Sequence, residues 1–278
     1  MKLLNGKEFA DKIKEEVRVE VEAMTEKPCL MVVQVGDDAA SSTYVKNKKK
    51  ACEYCGIRSI VYNLPDDTSE EDLLDFVEGM NQNKHIHGIL VQLPLPKHID
   101  EHKIIQAIAP EKDVDGFHEL NVGKLTIGEE TFVPCTARGI IELLIENNIQ
   151  IEGRNCVVVG RSNIVGKPTA MELLRCNGTV TICHSKTKGL DLICRDADIL
   201  VCAIGKPKFF DKKYISPNTV VIDVGIHRQA DGTLCGDVDY ENVIDIVSSI
   251  TPVPKGVGSV TVAMLMKNCV QAAKRQLK

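Results

Sequence analysis

The sequence predicts an α/β protein of two α/β domains, the second a Rossmann-like dinucleotide-binding domain, with an active-site cleft between them. Three observations carry this. Short apolar runs of strand length alternate with segments of helical periodicity along the chain, the pattern of parallel sheets covered by helices. A chain of 278 residues is long for a single core. One apolar run, Cys156-Val157-Val158-Val159-Gly160, passes directly into a glycine-bearing turn and a helix, as in nucleotide-binding βαβ units.

From Lys7 to Met24 apolar positions recur with helical spacing, and Cys29–Val35 reads as a buried strand ended by Gly36. A second helix follows, with Ser41, Ser42 and Thr43 as N-cap candidates and Gly56 as its stop. A strand over 58–62, a helix over 69–80, a strand over 88–92 and a Pro-broken loop complete the first domain, residues 1–120. A hairpin-like stretch from Leu120 to Phe132 leads to a helix over 137–147 and opens the second domain, 121–258. Its strands are expected at 156–160, 179–184, 198–204 and 219–225. The last helix, about Ser259 to Gln276, carries an apolar face that must be buried, and it is expected to return to the first domain as residues 259–278.

Composition narrows the function. With 44% hydrophobic and 26% charged residues and a formal net charge of −5, the chain has no global attraction to nucleic acid or to an anionic membrane, so small molecules are the expected partners. No run approaches the ~18 apolar residues of a membrane span, and the start reaches charge and glycine too early for a signal peptide. Eleven cysteines, an odd number scattered through apolar segments, read as reduced buried thiols and imply a cytoplasmic address. No metal is expected. Cys52-x-x-Cys55 lacks a second ligand pair and reads as helix packing, and Asp113-x-Asp115-Gly116 begins like a calcium loop but puts Phe117 at the next ligand position. The histidines show no ligand or triad spacing, so core or surface placement is their default.

The cofactor signal is the turn Gly160-Arg161-Ser162-Asn163-Ile164-Val165-Gly166. Two glycines permit tight backbone geometry, and the following helix offers free N–H groups to a pyrophosphate. Ser162 takes the middle glycine position of the usual G-x-G-x-x-G, so spacing alone also allows an uninvolved strand-to-helix turn. The next strand ends His184-Ser185-Lys186-Thr187-Lys188 without the carboxylate that would accept ribose hydroxyls in an NAD site. Arg161, Ser185 and the nearby lysines could instead hold a 2′-phosphate, which favours NADP over NAD.

A helix over 44–55 puts Tyr44, Val45, Ala51, Cys52 and Cys55 on one face, with Lys48 near the middle of the stripe. Lys46, Lys49, Lys50 and Glu53 fall on the opposite side. A lysine on an apolar face can simply snorkel to water. The functional alternative is a partly buried amine suited to general acid or base work, with Tyr44 one turn earlier able to stack on a flat heterocycle.

Five segments together resemble the bifunctional methylenetetrahydrofolate dehydrogenase/cyclohydrolase family over nearly the whole chain: Val35-Gly36 through Ser42–Cys52; Gly88–Pro96; Pro110-Glu111-Lys112-Asp113-Val114-Asp115-Gly116; Gly160-Arg161-Ser162 to Val165–Pro168; and Thr251–Pro254 to Val257-Gly258. The resemblance implies hydride transfer from 5,10-methylenetetrahydrofolate to NADP and hydrolysis of the methenyl cation to 10-formyltetrahydrofolate in one site, in a cytoplasmic homodimer serving purine biosynthesis. It makes Lys48 the central catalytic residue, Gln92 its orienter and Asp115 the holder of the pterin, with Tyr44, Val91, Leu93, Pro254, Gly256 and Val257 about the substrate. Gly160, Arg161, Ser162, Gly166, Ser185 and Ile226 would take the cofactor. A lysine that is neutral or displaced would not oppose formation of the cation, and one with a polar orienter could then activate water and return a proton to the departing nitrogen. The chain departs from the family pattern where Ala137 stands for the usual proline, and where Lys255, Ser259 and Val260 stand for glycine, proline and methionine. A lysine at 255 would suit an anionic substrate tail. The rival readings are a monofunctional NAD-dependent dehydrogenase, against which Lys48 and Gln92 argue, and a non-catalytic dinucleotide-binding module.

Overall fold

The computed structural model describes residues Met1–Leu277 and divides into two compact units. One unit comprises Lys12–Cys135 and the chain from Val262 onward; the other comprises Met1–Asp11 and Thr136–Thr261.

Two elements begin the chain, β1 (Lys2–Leu3) and α1 (Gly6–Ala23). The unit that starts at Lys12 then runs through β2 (Cys29–Val35), α2 (Ala39–Cys55), β3 (Arg58–Leu64), α3 (Glu70–Gln82), β4 (Gly88–Val91), α4 (Glu101–Ala107) and α5 (Glu119–Ile127). Its sheet is parallel, in the order β3-β2-β4. All seven residues of central β2 are buried, the continuous apolar pattern of a strand covered on both faces. One face of β2, Cys29, Met31, Val33 and Val35, packs with Leu73 and Val77 of α3 and Ile104 of α4.

Two details differ from expectation. The N-cap of α2 is Asp38, whose carboxylate accepts from Ser41 N at 2.7 Å. A carboxylate there also meets the positive end of the helix dipole, an advantage the hydroxyls of Ser41, Ser42 and Thr43 lack. The segment expected as a hairpin from Leu120 to Phe132 instead forms α5, capped by His118 Nδ1 and closed by Gly128 in the left-handed conformation. Asn121 and Leu125, four apart, are the buried pair that makes it helical.

The other unit continues with α6 (Cys135–Glu146), β5 (Asn155–Val159), α7 (Gly166–Arg175), β6 (Thr179–Cys183), α8 (Leu190–Arg195), β7 (Ile199–Cys202), a 3-10 turn at Lys212–Tyr214 and β8 (Val220–Asp223). A short antiparallel ribbon, β9 (His227–Arg228) with β10 (Leu234–Cys235), precedes α9 (Tyr240–Val243), β11 (Ser249–Ile250) and α10 (Val257–Gln276). Six parallel strands form one sheet in the order β1-β11-β8-β7-β5-β6. The chain leaves β5 for β6 on one side and returns to β7 on the other, so the topological switch point lies at the carboxyl ends of β5 and β7.

From Val262 on, α10 packs in the unit that holds β2. Asn268, fully buried, donates to Val114 O at 2.8 Å and Val133 O at 3.2 Å, and Gln276 donates to His87 O at 2.7 Å.

Candidate active site

The helical stripe of α2 falls as its periodicity requires. Val45, Ala51, Cys52 and Cys55 are buried, Lys46, Lys49, Lys50 and Glu53 are exposed, and Lys48 is half-buried between the two sets. Lys48 Nζ donates to Gln92 Oε1 at 2.9 Å, and Gln92 Nε2 donates to Leu93 O at 2.7 Å. Turning the amide over would set N–H groups against Lys48 and oxygen against oxygen at Leu93, so the carbonyl end faces the lysine. Gln92 can occupy this place because β4 lies beside β2 and its end is fixed by the bond from Gln92 N to Val33 O. Tyr44, one turn before Lys48, is 39% exposed. Val91 packs into the core cluster and Leu93 against it.

Asp115 stands on a turn built by its neighbours. Lys112, buried, donates to the carbonyls of Met80, Asn81 and Asn83 and so caps the C-terminal end of α3. The carboxylate of buried Asp113 accepts from Gly116 N, His118 N and Asn121 Nδ2 at 3.0, 2.8 and 2.8 Å. At Gly116, φ is +75° and a Cβ would stand 2.6 Å from Phe132 O, so only glycine closes the turn. Asp113, which in sequence only begins a broken calcium loop, therefore holds the loop that presents Asp115. Burial pushes the Asp115 carboxyl up, while the charge of Lys48 and a hydrogen bond with the Cys135 thiol pull the other way.

Cys52 and Cys55 belong to packing: Cys52 Sγ lies 3.6 Å from Met266 Sδ and Cys55 Sγ 3.5 Å from Lys14 O. Burial pushes their thiols up to about 12 and about 11, the direction of inert rather than reactive cysteine.

In the other unit, the turn after β5 fits a dinucleotide. Gly160 has φ +135°, and a Cβ on it would stand 2.2 Å from Ala203 O at the end of β7; one on Gly166 would stand 2.3 Å from Gly160 O. Backbone therefore lines the switch point with no side chain in front of it. Ser162 Oγ accepts from Val165 N and Gly166 N, both at 3.2 Å, which explains why serine serves at the middle position: it ties the turn to the first residues of α7. Arg161 and Ser185 are exposed, as is Ile226 at 41%. Pro254, Gly256 and Val257 lie in this unit too, on the segment leading into α10, with Pro254 exposed and the other two buried. Beside them Lys255 takes a left-handed φ of +77°.

A parallel sheet with a glycine turn at its switch point, joined in one chain to a unit presenting a tethered lysine and a carboxylate, defines a nucleotide-dependent α/β enzyme class. Residues 4–115 match the catalytic domain, and residues 134–277 the NAD(P)-binding domain, of tetrahydrofolate dehydrogenase/cyclohydrolase. The chain belongs to the tetrahydrofolate dehydrogenase/cyclohydrolase family. It is 56% identical over 276 residues to the bifunctional protein FolD of Agathobacter rectalis, covering 98% of this chain and 99% of that protein. Among solved structures it is similar to the bifunctional enzyme FolD, methylenetetrahydrofolate dehydrogenase/cyclohydrolase, of Campylobacter jejuni, with a TM-score of 0.96, 46% identity and 99% of each chain covered. It is also similar to the Trypanosoma brucei N5,N10-methylenetetrahydrofolate dehydrogenase-cyclohydrolase complexed with NADP cofactor and inhibitor, with a TM-score of 0.93, 37% identity and 99% and 97% of the two chains covered.

Proposed function

We propose that the chain oxidises 5,10-methylenetetrahydrofolate to the 5,10-methenyl cation with NADP and hydrolyses that cation to 10-formyltetrahydrofolate. The observation that carries the two-step reading is the Lys48–Gln92 hydrogen bond of 2.9 Å in the same unit as Asp115. NADP, when bound, accepts the hydride that leaves the substrate's methylene carbon. Gly160, Arg161, Ser162, Gly166, Ser185 and Ile226 would hold it, Arg161 and Ser185 at the 2′-phosphate. Tyr44 stacks on the folate beside Val91 and Leu93, and Asp115 accepts hydrogen bonds from the pterin. Gln92 holds Lys48 at a fixed distance. In the second step water adds to the methenyl carbon, Lys48 takes a proton from it, and a proton returns to the ring nitrogen as its bond to that carbon breaks. The balance is one water consumed and one proton released.

The folate chemistry is assigned to residues 1–120 with 259–278, and the nucleotide to 121–258. A soluble cytoplasmic setting is supported by eleven free cysteines, ten of them buried and Cys176 half-buried, and no helix among the described residues is long and apolar enough to cross a membrane. A homodimer is supported by β6, one of the two edge strands of the six-stranded sheet, which exposes Ile182. The 10-formyl product would serve purine biosynthesis.

The deciding experiment follows the methenyl absorbance while purified protein turns over 5,10-methylenetetrahydrofolate with NADP or NAD, in wild type and Lys48→Met. NADPH formation without methenyl build-up in wild type, with loss of hydrolysis in the variant, is the expected result. Methenyl accumulation in wild type would leave a monofunctional dehydrogenase, and absence of NADPH would leave a binding module.

A further inference from the structure

The sequence gives no role to Asp237, yet its carboxylate accepts four hydrogen bonds. It is fully buried. Its Oδ2 accepts from Ile204 N at 2.7 Å and Gly205 N at 3.0 Å, and its Oδ1 accepts from Lys206 N at 2.9 Å and His227 Nε2 at 2.8 Å. Three consecutive amides of the segment after β7 thus converge on one side chain, a concave arrangement of N–H groups suited to an anion. Here the protein fills it with its own carboxylate.

The two segments held in this way border the switch point. The first begins at Ala203, whose carbonyl is the atom that excludes any side chain from Gly160. The second follows β8: Gly225 lies so close that a Cβ on it would meet Asp237 Oδ1 at 2.3 Å, and His227 comes directly after exposed Ile226. A second carboxylate fixes the clamp itself, since Asp223 Oδ1 accepts from Asp237 N at 2.9 Å and Asp223 Oδ2 from Val238 N at 3.0 Å. In a doubly wound sheet the glycine turn after the first strand takes the pyrophosphate and the following strand takes the adenosine ribose. The carboxyl ends of β7 and β8, on the other side of β5, are then left for the nicotinamide half.

We propose that Asp237, with His227, is a positioning residue for the nicotinamide half of the cofactor: it touches no reactant but fixes, from beneath, the two loops that would border the ring. A buried carboxylate satisfied by backbone amides of two separate loops sets their mutual position more tightly than apolar packing, because each hydrogen bond has a preferred distance and direction. This rests on the cofactor assignment made above.

The test compares Asp237→Asn and His227→Gln with wild type in three measurements: calorimetric titration with NADP, dehydrogenase kinetics, and hydrolysis of supplied methenyltetrahydrofolate without nucleotide. The expected result is NADP binding at least fivefold weaker and dehydrogenase kcat/KM lowered by tenfold or more, with hydrolysis within twofold of wild type. A parallel fall of both activities would overturn the proposal in favour of a general folding role, and unchanged NADP binding and dehydrogenase kinetics would overturn it outright. If Asp237→Asn does not fold, His227→Gln, which removes one of the four bonds from a half-buried position, carries the same comparison. Failure of the cofactor assignment itself would show separately, as wild type that does not bind NADP.

Discussion

Lys48 and Gln92 lie 44 residues apart in sequence and 2.9 Å apart in space. The bond matters because a lysine has four flexible side-chain torsions and holding it in one rotamer costs up to about 2 kcal/mol. Gln92, itself anchored by Leu93 O, offsets that cost before substrate arrives. Gln92→Ala should therefore lower hydrolysis by about 10²-fold, the lower range for losing a placed general acid or base, and lower hydride transfer less. Stopped-flow traces of methenyl build-up measure the split, and equal losses in both steps would sink the idea that Gln92 acts through Lys48.

Asn268 joins three parts of its unit through one amide. Its Nδ2 bonds Val114 O, next to Asp115, and Val133 O, and lies 3.5 Å from Cys135 Sγ. Asn268→Ala leaves two buried carbonyls short of a donor and opens a small cavity. The expected loss is about 1–3 kcal/mol, read from the urea midpoint at constant m-value. A loss under about 0.5 kcal/mol would mean that water replaces the amide.

These examples mark what the sequence could and could not disclose. The strand and helix periods place β2, α2, β5 and Lys48 on the correct faces, because burial of one face is written in residue type every two or 3.6 positions. The helix α5 was hidden by Gly123 and by alternating apolar residues that suit a strand equally well. The two-residue strands β1 and β11 are too short for any period. Asp113 and Asp237 accept most of their bonds from backbone amides, which have no residue-type signature, and each takes one more from a side chain, Asn121 and His227 respectively. Their partners became visible only when the chain was folded.

Lys255 holds φ +77° where the family resemblance leads one to expect glycine, and its carbonyl accepts from Lys7 N at 3.0 Å. A non-glycine residue in the left-handed region costs about 1–2 kcal/mol, while glycine gives back roughly 0.5–1 kcal/mol through the freer unfolded chain. Lys255→Gly should therefore stabilise the protein by about 1 kcal/mol or less, measurable as a rise in urea midpoint. A destabilised variant would show that the lysine side chain makes a favourable contribution larger than its backbone strain.

Asp223 gives the protein a pH-dependent stability of unusual sign. Burial pushes its carboxyl from 3.8 up to about 7, against the backbone N–H groups of Val238, Asp237 and Gly225 that favour the ionised form. The folded state thus binds the proton more tightly than the unfolded chain does, so between about pH 4 and pH 7 this group alone makes stability fall as pH rises. Its contribution is fully present below the unfolded value and is lost through about 7, a change on the order of a few kcal/mol at most. Other carboxylates run the opposite way, Glu70 for one being lowered by its hydrogen bond with Lys103, so the effect must be read as a difference between proteins. Asp223→Asn keeps one acceptor and cannot titrate. Its stability relative to wild type should rise from pH 4.5 to pH 7.5 in urea titrations, and a pH-independent difference would show that Asp223 is ionised throughout, its three amide donors outweighing burial.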